Sequence, residues 1–254
     1  TLEKNSYMLE LDAWLEIAQS AALEGGNYLL QNQGKELKVL MDSGRDIKLQ
    51  LDADTEQLIK ESLSSQSSFS ILGEETGLSN NLGEFYWVVD PLDGTSNFLR
   101  DIPISCVSIA LMQDVTPILG VIYDFNHDDL YFGHQNSKAF LNQNEITVSD
   151  YSKKNQSTLV TGIPAKTHYS DEEFKNMIND FQDWKKVRMI GSAAMAAIYV
   201  AAGKAETYKE NGIFLWDIAA GAAIVEAAGG VASIKNIQAD YRVDAIFTNQ
   251  HLAN

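Results

Sequence analysis

Residues 90–96 of this 254-residue chain read DPLDGTS and follow an apolar run, so two carboxylates stand three residues apart after a candidate strand. Pro91 fixes its own φ angle and favours an extended backbone at Asp90. The carboxylates of Asp90 and Asp93 and the carbonyl oxygen of Leu92 can then converge on one point. A hard divalent cation such as Mg²⁺ prefers an all-oxygen ligand set of this kind. The segment therefore predicts a cation site.

The residues that follow this pair suit an anion. Gly94 has no side chain where a ligand must approach the backbone, and Thr95 with Ser96 is predicted to cap a helical turn whose N–H groups face an anion. Residues 61–99 nevertheless contain six acids and no Lys or Arg. An anionic substrate would therefore need bound cations between itself and the acids. The simpler alternative is a surface turn, because Asp, Pro and Gly are common turn residues.

Four other acids could join this site, and each also has a structural explanation. Glu74 and Glu75 end an apolar run, where adjacent side chains of a strand point to opposite faces, so at most one of them easily reaches a given site. Solvated loop acids are the alternative there. Asp52 and Asp217 stand where helices are expected to begin, and capping alone would explain both. The small residues 219–223 behind Asp217 would allow close packing around a rigid site.

Other catalytic chemistries find less support in the motifs. The histidines show neither an H-x-x-x-H spacing nor a paired cysteine, which argues against zinc. They are His127, His134, His168 and His251. No G-x-x-x-x-G-K-[ST] motif occurs, which excludes a P-loop. Two carboxylates could flank a sugar in a retaining glycosidase, but that mechanism gives no role to the Gly-Thr-Ser that follows them.

Composition and charge narrow the classes of function. The chain has 45% hydrophobic and 21% charged residues, as expected for a globular protein. A net charge of −16 argues against binding nucleic acid or an anionic membrane, since both require a basic surface. No apolar stretch approaches the roughly 18 residues of a membrane span, and no signal-peptide core opens the chain. Cys106 is the single cysteine, so an intramolecular disulfide is excluded, and we expect a buried, inert thiol and a reducing cytoplasm.

Hydrophobic periodicity predicts the elements that must position the acids. Short apolar runs over 104–140 indicate an antiparallel meander, and strands and helices alternate from residue 157 onward. Strand-rich sheets with helices between them indicate a layered α/β or α+β fold. Before the meander, helices are expected over 10–31 and 54–63, and strands ending in acids over 70–75 and 86–90.

The chain is interpreted as one domain over residues 8–254. Its first part, about 8–145, is α+β and holds most of the candidate cation ligands, and its second part, about 146–254, is α/β. Residues 1–7 are treated as an extraneous leader, because Met8 would be a plausible natural start.

Taken together, the motifs resemble the inositol monophosphatase family of magnesium-dependent, lithium-sensitive phosphatases. The family pattern runs from an upstream Asp to G-E-E, then to W-x-x-D-P-[IL]-D-G-T-x-N-F and to W-D-x-A-A-G. This chain has Asp52, residues 73–75, residues 87–98 and residues 216–221 in that order, within a similarity that spans about 9–251. It departs from the family's D-x-V-T-x-x-D motif, because residues 46–52 read DIKLQLD, and this change bears on how a third cation is held.

The resemblance implies an α+β fold, a layered αβαβα sandwich of the sugar-phosphatase type, and a homodimer. It also implies hydrolysis of a phosphomonoester by water that two or three Mg²⁺ ions activate. The implied metal ligands are Glu74, Asp90, the Leu92 carbonyl, Asp93 and Asp217. The implied catalytic residues are Glu74, Thr95 and Asp52, with Asp52 helping to orient Thr95. The implied substrate-binding positions are Leu92, Asp93, Gly94, Thr95, Gly191, Ser192, Ala193, Glu210 and Asp217.

The predicted substrate is inositol monophosphate or a related small polyol or sugar phosphate, because Glu210 suits hydrogen bonds to hydroxyl groups. A second phosphate would require nearby cations, and the pocket-forming segments have only Arg188, Lys204 and Lys209 as neighbours. The alternatives are a nucleoside 3′,5′-bisphosphate, fructose 1,6-bisphosphate, histidinol phosphate or NADP. A non-catalytic regulatory protein on the same fold is another alternative, although all five metal positions are present. Neither nucleic acid nor a membrane is expected as a partner.

Overall fold

The computed structural model describes residues 2–43 and 46–253. Thr1, in the predicted leader, and Asn254, the predicted end of the domain, lie outside the described residues. The helices are α1 (Leu2–Asn32), α2 (Gln50–Gln66), α3 (Thr95–Phe98), α4 (Asp171–Phe181), α5 (Ala193–Ala201) and α6 (Leu215–Ala227). The strands are β1 (Val39–Ser43), β2 (Asp46–Leu49), β3 (Ser70–Gly73), β4 (Gly77–Leu78), β5 (Phe85–Asp93), β6 (Cys106–Gln113), β7 (Thr116–Asp124), β8 (Asp129–His134), β9 (Ala139–Leu141), β10 (Asn144–Ile146), β11 (Thr158–Thr161), β12 (Lys186–Met189), β13 (Thr207–Phe214), β14 (Val231–Lys235) and β15 (Arg242–Thr248).

The elements stack in five layers, which confirms the predicted αβαβα sandwich. Helices α1 and α2 cover one face of an eight-stranded sheet of order β10-β9-β8-β7-β6-β5-β3-β4. Helices α5 and α6 lie between that sheet and a five-stranded sheet of order β12-β11-β13-β15-β14. Helix α4 lies against the outer face of the second sheet, where its residues and those of β11 and β13 line one cavity.

Strand β5 is buried on both faces because two cores meet at it. Trp87 and Val89 belong to the core beneath α1 and α2, whereas Tyr86 and Val88 belong to the core around α5 and α6. Successive side chains of a strand point to opposite faces, so the near-continuous apolar run before Asp90 serves both layers. Asp90, the first acid of the DPLD segment, therefore follows a run of residues that is buried on both faces of the sheet.

Helix α6 fits between the sheets because its neighbours and its own residues are small. A Cβ atom at Gly120 of β7 would lie 2.2 Å from the carbonyl oxygen of Ala220. A Cβ atom at Gly221 would lie 2.4 Å from the Cβ of Ala197 on α5. The backbones of these elements therefore approach one another more closely than side chains would permit. The small residues that were predicted to allow close packing behind Asp217 make these contacts.

The structure differs from the predicted elements in a few places. Helix α1 already begins at Leu2, and its Gly25–Gly26 pair allows it to approach Ile59 and Tyr123 closely. The hairpin β1–β2 and the strand β14 were not predicted. Within the described ranges, no helix combines the length and apolar character needed to cross a bilayer.

Candidate functional site

The parallel pairing of β3 with β5 brings Glu74 beside Asp90. Gly73 is opposite Val89 in the register of these strands, and the Glu74 N–H donates to the Val89 carbonyl at 3.1 Å. Burial raises the pKa of the Glu74 carboxyl to about 7, although a hydrogen bond with Asp90 partly offsets that effect. Glu75 turns away and forms an ion pair with Lys48 at 2.9 Å. Only one glutamate of the pair thus lines the cavity, as the alternation of side chains predicted.

The DPLD segment is a bulge at the end of β5 rather than a surface turn. Its pairing with β6 is irregular between Asp90 and Asp93, and the Leu92 N–H donates to Asp90 Oδ1 at 3.0 Å. Gly94 has a φ of +89°, and a Cβ there would lie 2.7 Å from the Ile104 carbonyl oxygen. Glycine is needed at this position for its left-handed backbone as well as for space.

The predicted capping by Thr95 and Ser96 is wrong. Gly94 is the N-cap of the short helix α3, and no side chain caps it. The Thr95 hydroxyl instead donates to the Leu92 carbonyl at 3.0 Å. Pattern alone did not separate the two arrangements, because a Thr three residues after a carbonyl can bond backward to that carbonyl as easily as it can cap forward.

Asp93 is held by the beginning of helix α5. Its Oδ2 accepts hydrogen bonds from the Ser192 hydroxyl and the Ala194 N–H, both at 2.7 Å. The Ser192 oxygen also accepts from the Met195 N–H and so caps the same helix. Burial raises the pKa of Asp93, and these hydrogen bonds offset part of the rise. Ser192 thus contacts an acid of the site, in addition to lining the cavity as predicted.

Asp217 is the third residue of α6 and completes a cluster of three acids. Its Oδ2 accepts the Phe214 N–H at 3.2 Å, so the predicted cap is present as well. One carboxylate oxygen from each of Asp90, Asp93 and Asp217 lies within 4.8 Å of the others. Burial and the neighbouring acids raise the pKa of both Asp90 and Asp217 well above the usual range.

The donor set of this cluster fits a divalent cation. Several buried carboxylates can be ionised together only if positive charge compensates them. The ligands on offer are all oxygen atoms, which hard cations prefer. These residues can therefore hold a metal such as Mg²⁺, and Glu74 and the Leu92 carbonyl stand next to them on the same cavity wall.

A cavity of about 390 Å³ joins most of the predicted site residues. Segment 162–166, which follows β11, forms one wall and was not predicted. Lys166 in this segment is the one basic residue among the described residues that line the cavity, whereas Lys209, predicted as a neighbour, lines an adjacent cavity. The predicted residues that line the main cavity are Glu74, Asp90, Leu92, Asp93, Gly94, Thr95, Gly191, Ser192, Ala193, Glu210 and Asp217.

Glu210 lies between the main cavity and the adjacent cavity of about 240 Å³, and it lines both. Its carboxylate sits on Gly162, where a Cβ atom would be 2.4 Å from Oε1. Burial, followed by the charge of Asp93, raises its pKa to about 8. The side chain has 8% of its surface exposed and is thus available to a ligand only from the cavities.

Asp52 lies behind the cavity rather than in its lining. Its Oδ2 accepts the Leu49 N–H at 2.8 Å at the start of α2, whereas its buried Oδ1 has no hydrogen-bond partner among the described residues. Burial raises its pKa to about 8 against the effect of that hydrogen bond, and the charges of Glu74 and Glu75 raise it further. The Thr95 hydroxyl bonds to Leu92, so the orientation of Thr95 by Asp52 stays a prediction.

Comparison with known proteins identifies the family. A sequence profile described as the inositol monophosphatase family matches residues 10–245. The chain belongs to the inositol monophosphatase family. The profile match includes every acid of the site.

Individual family members carry different names. A protein named Nus factor SuhB from Xylella fastidiosa is 38% identical over 85% of this chain and 80% of its own length. An inositol-1-monophosphatase from Synechocystis is 35% identical over 88% of this chain and 79% of its own length. The crystal structure of the extragenic suppressor protein SuhB from Bartonella henselae superposes with a TM-score of 0.84 at 31% identity, covering 94% of this chain and 95% of that one.

One basic residue of the cavity, Lys166, escaped the sequence-based prediction, because it follows a strand in the segment TGIPAK, which offers no periodic pattern. The ion pair of Lys48 with Glu75 was also not predicted, because Lys48 lies in a hairpin that was not predicted. The strand β11 and the Gly162–Pro164 turn signal after it were visible in the sequence. They would have indicated a loop at the carboxyl end of a parallel strand, where α/β sheets bind ligands.

Proposed function

We propose that this protein is a Mg²⁺-dependent phosphomonoesterase that hydrolyses the phosphate ester of a small polyol, with inositol monophosphate as the reference substrate. One observation carries the proposal: oxygens of Asp90, Asp93 and Asp217 lie within 4.8 Å of one another in the wall of a 390 Å³ cavity. That cavity is large enough for a small phosphate ester.

Two or three Mg²⁺ ions would be held by the predicted ligands, namely Glu74, Asp90, the Leu92 carbonyl, Asp93 and Asp217. When bound, they would compensate the charge of the phosphate and the leaving oxygen and lower the pKa of a water molecule. Phosphoryl transfer depends on positioning and charge rather than on a covalent nucleophile, so the site needs no activated Ser or Cys.

The protein's own groups would position the water and manage its proton. Hydrolysis forms a bond from phosphorus to the water oxygen and breaks the bond to the alcohol, so the water loses a proton and the alcohol gains one. Glu74 and Thr95 both line the cavity, and we assign to them the orientation and deprotonation of the water. The Oδ1 of Asp52, which has no hydrogen-bond partner within residues 2–43 and 46–253, supports a role behind these two residues. Gly94 and Thr95 would face the phosphate with their backbone.

The alcohol would bind at Glu210 in the same cavity. Glu210 has a buried carboxylate that accepts no hydrogen bond within the described part of the chain, which suits a hydroxyl group of the substrate. Gly191 and Ala193 add small, neutral surface beside it. Lys166 lines the same cavity, so a second anionic group on the substrate would also meet a cation there. Bisphosphates and nucleotides therefore belong in any test of specificity.

Phosphate release tests this proposal. The substrates are inositol 1-phosphate, fructose 1,6-bisphosphate, histidinol phosphate, adenosine 3′,5′-bisphosphate and NADP, each with EDTA, with Mg²⁺ and with Mg²⁺ plus Li⁺. We expect Mg²⁺-dependent, Li⁺-inhibited release that is strongest for inositol 1-phosphate. Asp217→Asn should abolish it with little change in melting temperature. Release that persists in EDTA or in this variant would contradict the proposal.

The name of one relative favours a second candidate function. The Xylella protein at 38% identity is named a Nus factor, so a regulatory role on the same fold is the alternative. Asp93→Asn separates the two, because it should remove turnover and leave any scaffold role. A wild-type protein that binds Mg²⁺ but hydrolyses none of the panel would favour the regulatory role.

The proposal includes a homodimer and a cytoplasmic location. The homodimer rests on the family resemblance, and light scattering after size exclusion would test it through the mass of the particle. The location rests on the single cysteine. Fractionation of the source cells with an antibody against the chain would test it.

A further inference from the structure

Glu56 is a fully buried glutamate on α2 that faces neither cavity. Its carboxylate accepts hydrogen bonds from the turn that follows β3. Oε2 accepts the Glu75 N–H at 2.7 Å, and Oε1 accepts the Thr76 N–H at 3.0 Å and the Thr76 hydroxyl. Burial of a charged carboxylate is costly unless such bonds compensate it, and here all three donors come from one turn.

The contact between Gly73 and Glu56 is independent of these hydrogen bonds. A Cβ atom at Gly73 would lie 2.4 Å from both the carboxyl carbon and Oε1 of Glu56. The backbone at the end of β3 thus rests directly on the carboxylate. Any residue larger than glycine at position 73 would push the turn and the carboxylate apart.

Glu74 lies between two residues that contact the Glu56 carboxylate. The backbone of Gly73 packs against that carboxylate, and the Glu75 N–H donates a hydrogen bond to it. The N–H of Glu74 itself donates to Val89. Glu75 forms its ion pair with Lys48 away from the cavity, whereas the Glu74 side chain lines the cavity.

We propose that Glu56 is a positioning residue for the metal site, which acts on the cation through Glu74. The inference rests on the proposed function only in taking Glu74 as a cation ligand. A carboxylate is required because it offers acceptors to three donors. The isosteric amide of glutamine would turn an N–H group toward one of the backbone N–H groups of the turn. Partners behind metal ligands typically change metal affinity 10- to 100-fold when they are replaced.

The test compares Glu56→Gln with Glu61→Gln, an exposed glutamate of the same helix, in the full chain. Calorimetric titration with Mg²⁺ alone, without substrate, gives the affinity, and melting in EDTA gives the stability. We expect Glu56→Gln to weaken Mg²⁺ binding about 10-fold or more and Glu61→Gln to leave it within twofold. Activity of Glu56→Gln should return at high Mg²⁺ with an unchanged KM for the ester.

A second pair of variants keeps the test decisive if Glu56→Gln does not fold. Thr76 is exposed, so Thr76→Val removes one donor to Glu56 without filling the core, and Thr76→Ser restores it. We expect a two- to fivefold loss of Mg²⁺ affinity in the valine variant and recovery in the serine variant. Variants that melt earlier but bind Mg²⁺ like the wild type would reduce Glu56 to a fold-stabilising residue. A wild-type protein that binds Mg²⁺ normally but hydrolyses no ester would refute the proposed function and leave this inference standing.

Discussion

Replacing Ser192 with alanine removes two hydrogen bonds that serve different purposes. The Ser192 oxygen caps α5 by accepting the Met195 N–H, and its hydroxyl donates to Asp93 at 2.7 Å. Ser170 offers a matched control, because it caps α4 by accepting the Glu173 N–H and lines neither cavity. Ser170→Ala therefore loses a cap and an exposed hydroxyl bond to Glu173, whereas Ser192→Ala loses a cap and the bond to a candidate metal ligand.

The magnitudes follow from these contacts. Loss of a serine cap costs about 1 kcal/mol, and loss of a hydrogen bond to a charged group costs about 1.5–3 kcal/mol. Ser192→Ala should therefore lower the free energy of unfolding by roughly 2.5–4 kcal/mol, against about 1 kcal/mol for the control. Its Mg²⁺ dissociation constant should rise about 10-fold, at the low end for such a partner because the Ala194 N–H still holds Asp93. Denaturant unfolding in EDTA and calorimetric Mg²⁺ titration give the two quantities.

Two outcomes would refute this reasoning. If both alanine variants lose the same stability and bind Mg²⁺ like the wild type, the bond from Ser192 to Asp93 has no role in the metal site. If Ser170→Ala weakens Mg²⁺ binding as much as Ser192→Ala does, the effect comes from general destabilisation. Ser192→Thr keeps the hydroxyl and should restore most of the affinity.

Three further expectations follow from burial and packing. Burial raises the folded-state pKa of three carboxyl groups above their unfolded values, so in EDTA the stability they provide is present at acid pH and is lost as the pH rises through about 7–8. The groups are Asp52, Glu74 and Glu210. The protein in EDTA should melt at a lower temperature at pH 8.5 than at pH 5.5, and Mg²⁺ should reduce this difference in melting temperature. Equal melting temperatures in EDTA would contradict the raised pKa values of these carboxyl groups. Gly120→Ala should lower the free energy of unfolding by about 1–3 kcal/mol, because it forces a Cβ atom against the Ala220 carbonyl. Gly83→Ala is the control: a Cβ atom there would lie 3.6 Å from its nearest neighbour, so the free energy of unfolding should change by less than about 0.5 kcal/mol in the same denaturant assay. Cys106 is fully buried with a raised thiol pKa, so a colorimetric thiol reagent should not label it until the chain unfolds, and rapid labelling of the native protein would show that the core opens there.

The elements that the sequence predicted well are those whose burial pattern is strong and local. The meander over β6–β9 and the helices α4 and α6 follow from runs and periods that one segment carries by itself. Strand β14 was not predicted, because its residues are only partly buried and its extended conformation depends mainly on pairing with β15. The hairpin β1–β2 escaped for a similar reason, since its two short strands pair with each other rather than with a large sheet.

The same division holds within the site. The convergence of Asp90 and Asp93 is encoded in four consecutive residues, so it could be inferred from the chain directly. The bond from Ser192 to Asp93 joins positions 99 residues apart, and neither residue signals the other. Asp217 could be assigned to the site only through the family resemblance. Lys166 belongs to a segment without helix or strand, where no period constrains the side chains.

The close contacts of α6 have a consequence for how this protein can diverge. Asp217 is carried by α6, whose backbone at Ala220 lies against Gly120 of β7 and whose Gly221 lies against Ala197 of α5, so a larger residue at either glycine must fit these neighbours. Segment 163–166 of the cavity lining has no strand partner among the described residues, and its last two residues are exposed. Under the proposed function, substitutions in that loop would change the alcohol that the site accepts and leave the acid cluster unaltered. A laboratory library aimed at new substrates belongs in the loop, because larger residues at the tightly packed positions of α6 would lower the stability of the fold.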